Sequence, residues 1–223
     1  MLYRILAIIA LLPMALAVPP FWQFMPRDMR PKVTINHKPY RLVEKLGEGV
    51  RGVGFLAEPV HPESDLEPER FVVVKRFHKY VPQTTIDNEV QHLKRNREWL
   101  GDERLSDGYY YDVQKYVPGT NMHKALETIA RYNPDQIPEI RRKYAEAVDR
   151  FHRDKKTIHR DMHVGNAILS PDTKSVNFID YDQSIETKHV PRRDRRYLKE
   201  MDKGVALATF DSRVNAIKQE RSQ

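Results

Sequence analysis

The sequence contains no cysteine, which excludes disulfides and thiolate metal sites. Secretion stays open, because a domain of this size can hold together by its core alone. There is no Asn-x-Ser/Thr sequon, no internal repeat and no low-complexity tract. Residues 1–17 hold the one long apolar run: Arg4 precedes "ILAIIALLPMALA", which ends in Ala15-Leu16-Ala17. The run is short for a bilayer span, and its small-residue ending suits signal cleavage. The expectation is a signal peptide over 1–17, a mature chain starting near Val18 with no transmembrane span, and a secreted or endomembrane-lumen location. A retained membrane anchor is the alternative.

What is present is enough for one domain with a core, or for two small lobes: 223 residues, 40% hydrophobic and 31% charged. A net charge of +7 suits nucleic acid, an anionic membrane or a phosphate-bearing ligand. It equally suits a merely soluble basic surface, and no specific nucleic-acid motif accompanies it.

After a Pro- and Met-rich leader over 18–39, "YRLVEKLGEG", "VGFLAEPV" and "FVVVKRF" read as three strands of an antiparallel meander, with an acidic Pro-rich loop before the third. "TTIDNEVQHLKRNREWL" has a Thr in cap position and Ile86, Val90, Leu93 and Leu100 at roughly helical spacing. "YYYDVQKYV" reads as a further strand, broken by "PGT". Then the character changes. "IPEIRRKYAEAVDRFHRDKK" sets Ile140, Tyr144, Ala147 and Phe151 on one helical stripe. Two short apolar runs follow, "AIL" at 167–169 and "SVNFID" at 175–180, with a turn between them.

The chemistry concentrates in "IHRDMHVGNAIL" and "FIDYD". Asp161, Asn166 and Asp180 stand at the edges of short apolar strands, and three oxygen donors of this kind suit a hard divalent cation such as Mg²⁺, not zinc. A second His-Arg-Asp triplet at 152–154 closes the long helix and has His159, not Asn, five positions beyond Asp154.

Taken in order, "GEGVRG", "VVVK", "NEV", "HRDMHVGN" and "DYD" resemble the protein kinase family, which carries a glycine-rich loop, a strand Lys, a helix Glu, H-R-D-x-x-x-x-N and D-F-G. The resemblance runs from about Tyr40 to Asp182. It implies an α+β, two-lobed protein kinase-like fold: an antiparallel-sheet lobe with one helix over 40–117 and a reduced, mainly helical lobe over 118–223. It implies ATP and Mg²⁺ as cofactors. Gly47, Glu48, Gly49 and Gly52 would cover the phosphates, where the missing Cβ atoms admit close backbone approach; a glycine-rich hairpin without ligand is the bland alternative. Lys75 would meet the phosphates and pair with Glu89, for which Asp87 competes. Gln114, Tyr116 and Val117 would border the adenine, Asp161 would be the base, and Asn166 and Asp180 would hold metal, with Asp182 as rival ligand. His159 would brace the loop.

The departures from the family bear on activity. Gly54 stands where the family usually has Val, Val73 replaces a small residue before Lys75, and Tyr181-Asp182 replace Phe-Gly. No A-P-E follows, and the 41 residues after Asp182 supply one helix, with Leu198, Met201, Val205 and Ala208 expected inside. Gly165 in "HVGN" also resembles the loop of aminoglycoside- and lipid-pathway phosphotransferases, whereas Arg160 favours protein kinases. The leading expectation is therefore an ATP-dependent phosphotransferase, most simply a Ser/Thr protein kinase-like enzyme acting on a protein or small-molecule hydroxyl. A pseudokinase scaffold that transfers nothing is the second, and a basic surface for nucleic acid or anionic lipid the third.

Overall fold

The computed structural model describes residues 25–61 and 71–221. The expected signal peptide and most of the acidic loop lie outside the described residues. Among those described, no helix is long and apolar enough to cross a membrane.

The first half is one antiparallel sheet of six strands: β1 (Lys32–Ile35), β2 (Lys38–Glu48), β3 (Gly52–Pro59), β4 (Val72–Phe77), β5 (Trp99–Arg104) and β6 (Tyr110–Lys115), in the order β1-β2-β3-β4-β6-β5. The three strands of the expected meander are β2, β3 and β4. Part of the leader is also built in: Lys32–Ile35 pairs with β2 through a two-residue turn. In that turn Asn36 and His37 take φ of 50° and 63°, the primed geometry that matches strand twist.

A single helix, α1 (Gln83–Arg95), packs on the sheet through Ile86 and Val90, which cluster with Phe77, while Leu93 joins the core of the helical half. Two expectations are corrected here. No threonine caps α1, whose N-cap is Pro82. Leu100 is not on the helix but in β5, because Arg97 turns left-handed at φ 59° and the Glu98 N–H closes back on the Leu93 carbonyl at 2.9 Å.

The second half is mainly helical: α2 (Met122–Tyr132), α3 (Ile137–Asp154) and α4 (Arg192–Glu220), with the short strands β7 (Thr120–Asn121), β8 (Thr157–Ile158), β9 (Ala167–Leu169), β10 (Val176–Phe178) and β11 (Ile185–Glu186) between them. Strands β10, β9 and β7 form one small sheet and β11 and β8 another, all antiparallel. Together the two halves are an α+β fold, a small sheet lobe beside a helical one. Ile140, Tyr144, Ala147 and Phe151 of α3 are buried as expected.

In α4 the expected stripe is in the wrong phase. Met201 and Val205 are each 47% exposed, Ala208 is exposed and Leu198 half-buried. The inward row is instead Asp202, Ala206, Phe210, Val214 and Ile217. Both rows satisfy helical spacing, and the second wins because it carries the larger side chains of the C-terminal turns. Phe210 is fully buried against Tyr144, with ring centroids 5.5 Å apart. Truncating such a ring costs about 3–5 kcal/mol, so no competing phase recovers its loss.

Candidate active site

Lys75 lies on β4, with β3 on one side and β6 on the other, and its ammonium points to where the sheet meets the helical half. It donates to both oxygens of Glu89, at 2.7 and 2.6 Å, and to Asp180 Oδ1 at 2.9 Å. Glu89 is on the inner face of α1 and buried, while its rival Asp87 faces solvent and accepts from Gln83. Sequence positions 75, 89 and 180 are thus joined by one cation.

The electrostatics follow from having too many carboxylates. Glu89 and Asp112 are both buried near Lys75, and Asp112 sits directly opposite it in the β4–β6 register. Burial pushes Glu89 up to about 8 and Asp112 up to about 7, only partly opposed by the Lys75 charge. Burial alone would neutralise Lys75, but Glu89, Asp180 and Asp112 outweigh it and hold the ammonium charged. Burial also acts on Asp180, yet Lys75 wins and keeps it ionised below its usual range.

The loop from His159 to Asn166 is held from below by Asp202 of α4, a buried carboxylate that sequence reading missed. Its oxygens accept from the backbone N–H of His159 at 2.7 Å and of Arg160 at 2.8 Å, and from His152 Nε2 at 3.0 Å. Arg160 takes φ of 67° there, a left-handed conformation that such fixed N–H contacts can impose. His159 is buried among Phe151, Phe178 and Tyr181, and desolvation keeps it neutral. Its Nε2 meets the Ile179 carbonyl at 3.0 Å, which ties the loop to the residue before Asp180. Asp161 remains partly open to the cleft. Asn166 Nδ2 donates to the Asp161 carbonyl at 3.0 Å and to Oδ2 at 3.3 Å, so its amide oxygen is left as the atom able to face a cation.

Asp180 too is left-handed, at φ 66°. Tyr181 is buried, stacked on Phe151 and His92, and its hydroxyl donates to the Phe178 carbonyl at 3.1 Å. Asp182 is buried and paired with Arg51, the residue between Gly49 and Gly52 that sequence reading passed over. Glu89, Asp180 and Asp182 each bring a carboxylate oxygen within 4.8 Å of the others. One Asp182 oxygen has no hydrogen-bond partner.

The β2–β3 turn closes through the Gly49 N–H to the Gly52 carbonyl at 2.9 Å. Gly52 is required where it is: a Cβ would lie 2.4 Å from the Arg76 carbonyl oxygen. A Cβ at Gly47 or Gly49 would meet only open space within 4 Å instead, so no neighbour crowds that side of the turn. Glu48 turns away to Lys45, at 2.5 Å. Gln114 is on β6 beside Val73 and reaches Asp112 at 3.4 Å, and the half-buried Tyr116 and Val117 lie on the link to the helical half.

Of the overlooked residues, Asp202 left a signal, an acid in register with Ala206, Phe210 and Val214. Asp112 left one too, an acid inside the apolar strand "YYYDV". Arg51 left none.

No protein-family model matches the chain. A protein of Dictyostelium discoideum named as a probable serine/threonine-protein kinase is 28% identical over 145 residues, which is 60% of this chain and 10% of that protein. The chain therefore spans about a tenth of the relative's length.

Proposed function

We propose that this chain is a protein kinase-like phosphotransferase that moves the terminal phosphoryl group of ATP to a hydroxyl acceptor, with a Ser or Thr side chain favoured over a small molecule. The observation that carries the reading is the junction of Lys75, Glu89 and Asp180 at 2.6–2.9 Å, beside a loop presenting Asp161 and Asn166. The similarity to a probable serine/threonine-protein kinase supports it.

The residues fit a metal–nucleotide pair. Asp180 is ionised, the Asn166 amide oxygen is left over, a buried Asp182 oxygen lacks a partner, and the glycine turn is uncrowded at Gly47 and Gly49. When bound, ATP with Mg²⁺ supplies the transferable phosphoryl group and the cation that offsets its charge. Asp180 and Asn166 would hold the metal. Lys75, fixed by Glu89, would hold the α- and β-phosphates, and the Gly47–Gly52 turn would cover them. Gln114, Tyr116 and Val117 would border the base. Asp161 would orient the acceptor hydroxyl and take its proton, a role worth about 10²–10⁴ in rate.

A second reading is a nucleotide-binding scaffold without transfer. Its support is the Arg51–Asp182 pair, which ties the glycine turn across the cleft, and the packing that locks Tyr181. One experiment separates the two. The full chain and its Asp161→Asn variant are compared for ATP·Mg²⁺ turnover and phosphate incorporation, with nucleotide binding measured alongside. Turnover lost in the variant while binding persists supports transfer; equal turnover in both, or none in either with binding intact, supports the scaffold.

A further inference from the structure

Helix α4 carries two apolar rows, and only one is inside. The outer row runs at four-residue intervals through Arg193, Tyr197, Met201 and Val205, with Tyr197 65% exposed and Met201 and Val205 each 47%. At about 1.5 Å and about 100° per residue the row covers roughly 18 Å, and its apolar members Tyr197, Met201 and Val205 lie within about 80° of one another around the axis. The adjoining row begins with Arg192 and Arg196.

Charge gathers at the same end. Between positions 192 and 199, five Lys and Arg stand against the single carboxylate of Asp194, in a chain whose net charge is +7, while Lys188 just before them is paired with Glu186 at 2.9 Å. Asp194 lies 3.6 Å from Arg193, and Glu200 is the next acid along the helix. Arg195 folds back onto the Val190 carbonyl at 2.9 Å. Arg192, Arg193 and Arg196 are exposed.

This placement is unfavourable for the helix alone. Its first turns carry the positive end of the macrodipole, where carboxylates stabilise and guanidinium groups do not. Pro191 provides no side-chain cap either. An anionic surface laid along the outer row would answer both features, neutralising the arginines and the helix end while removing Tyr197, Met201 and Val205 from water.

We propose that the N-terminal half of α4 docks on an anionic phospholipid bilayer, with Tyr197, Met201 and Val205 at the headgroup–acyl boundary and Arg192, Arg193 and Arg196 against lipid phosphates. A soluble polyanion such as nucleic acid would engage the arginines but leave Met201 and Val205 wet. Tyr197, Met201 and Val205 share one sector of the helix, which a plane can meet. The inference is independent of the phosphotransfer reading, since it uses none of the side chains assigned to phosphoryl transfer.

The test is co-sedimentation of the full chain with vesicles of phosphatidylcholine alone or with about one-third phosphatidylserine. Binding is expected on the anionic vesicles and should weaken as salt rises. Reversing Arg192, Arg193 and Arg196 to Glu should lower the partition coefficient about 100-fold or more. Replacing Tyr197, Met201 and Val205 with Ser should lower it about tenfold or more. Thermal melts check that each variant folds. Should one not fold, Tyr197→Trp in vesicles with brominated acyl chains gives a second measure, with quenching of the added fluorescence expected. Equal binding by parent and variants would overturn the proposal and assign any membrane affinity to residues 5–17. So would an unquenched Trp, or binding to polyphosphate and vesicles alike that survives the Ser substitutions.

Discussion

The chain contains the tripeptide His-Arg-Asp twice, seven residues apart, and the two copies end in different states. At 152–154 it finishes α3: His152 is buried, while Arg153 and Asp154 pair with each other in solvent at 2.8 Å. At 159–161 it leaves helical geometry, with Arg160 at φ 67° and Asp161 facing the cleft. Both copies are tied to the same carboxylate, Asp202, the first through its imidazole and the second through its backbone N–H groups. The side chains are identical, so the difference lies in which backbone donors are free. Inside α3 they are spent on the helix; after β8 they are available and Asp202 collects them.

The largest test of this contrast is functional. Asp161→Asn should reduce phosphoryl transfer about 10²–10⁴-fold, whereas Asp154→Asn should leave it unchanged, measured as phosphate incorporation at saturating nucleotide. Equal losses would remove the distinction between the copies.

The next acts on the shared support. Asp202→Ala strips a buried acceptor from three donors and should cost about 3–5 kcal/mol in denaturant unfolding. Asp202→Asn, which keeps one acceptor oxygen, should cost less and still weaken nucleotide turnover by loosening the 159–161 backbone.

A third extends the comparison to the sheet. Asp112 is buried like Asp202, yet one of its oxygens has no partner, and burial raises it to about 7. The folded chain then holds a proton that the unfolded chain has released above its ordinary carboxylate range. Stability should therefore fall as pH rises from about 4 to about 7. Asp112→Asn removes that loss: its melting temperature relative to the parent should rise by about 3 °C or more at pH 8 and change little at pH 4. A difference independent of pH would refute the assignment. The smallest effect belongs to the solvent pair, where Arg153→Ala should alter stability by less than about 0.5 kcal/mol.

The motif order pointed to three residues that the fold brings together at the candidate site, Lys75, Glu89 and Asp180. Lys75, Glu89 and Asp180 were legible because each sits at the end or on the inner face of an element with clear periodicity, and Glu89 was separable from Asp87 only by which side of α1 meets the sheet. The fold was legible wherever apolar spacing had one solution, as in β2–β4 and α3. It was not in α4, where two rows fit equally, nor at Trp99-Leu100, where a left-handed Arg97 ends the helix within an apolar pattern that could have continued it. Arg51 could not have been found, since a charged residue in a glycine turn has no period and its partner lies 131 positions away.

By itself the sequence determined local matters: which segments alternate, which repeat every three to four residues, and which polar residues stand at their ends. Those follow from backbone geometry over a few residues. Tertiary structure decided the phase of α4, the pairing of Arg51 with Asp182, and the gathering of both histidines around Asp202. Each of these weighs burial against desolvation between segments far apart in the chain, and only the packed molecule brings the competing terms together.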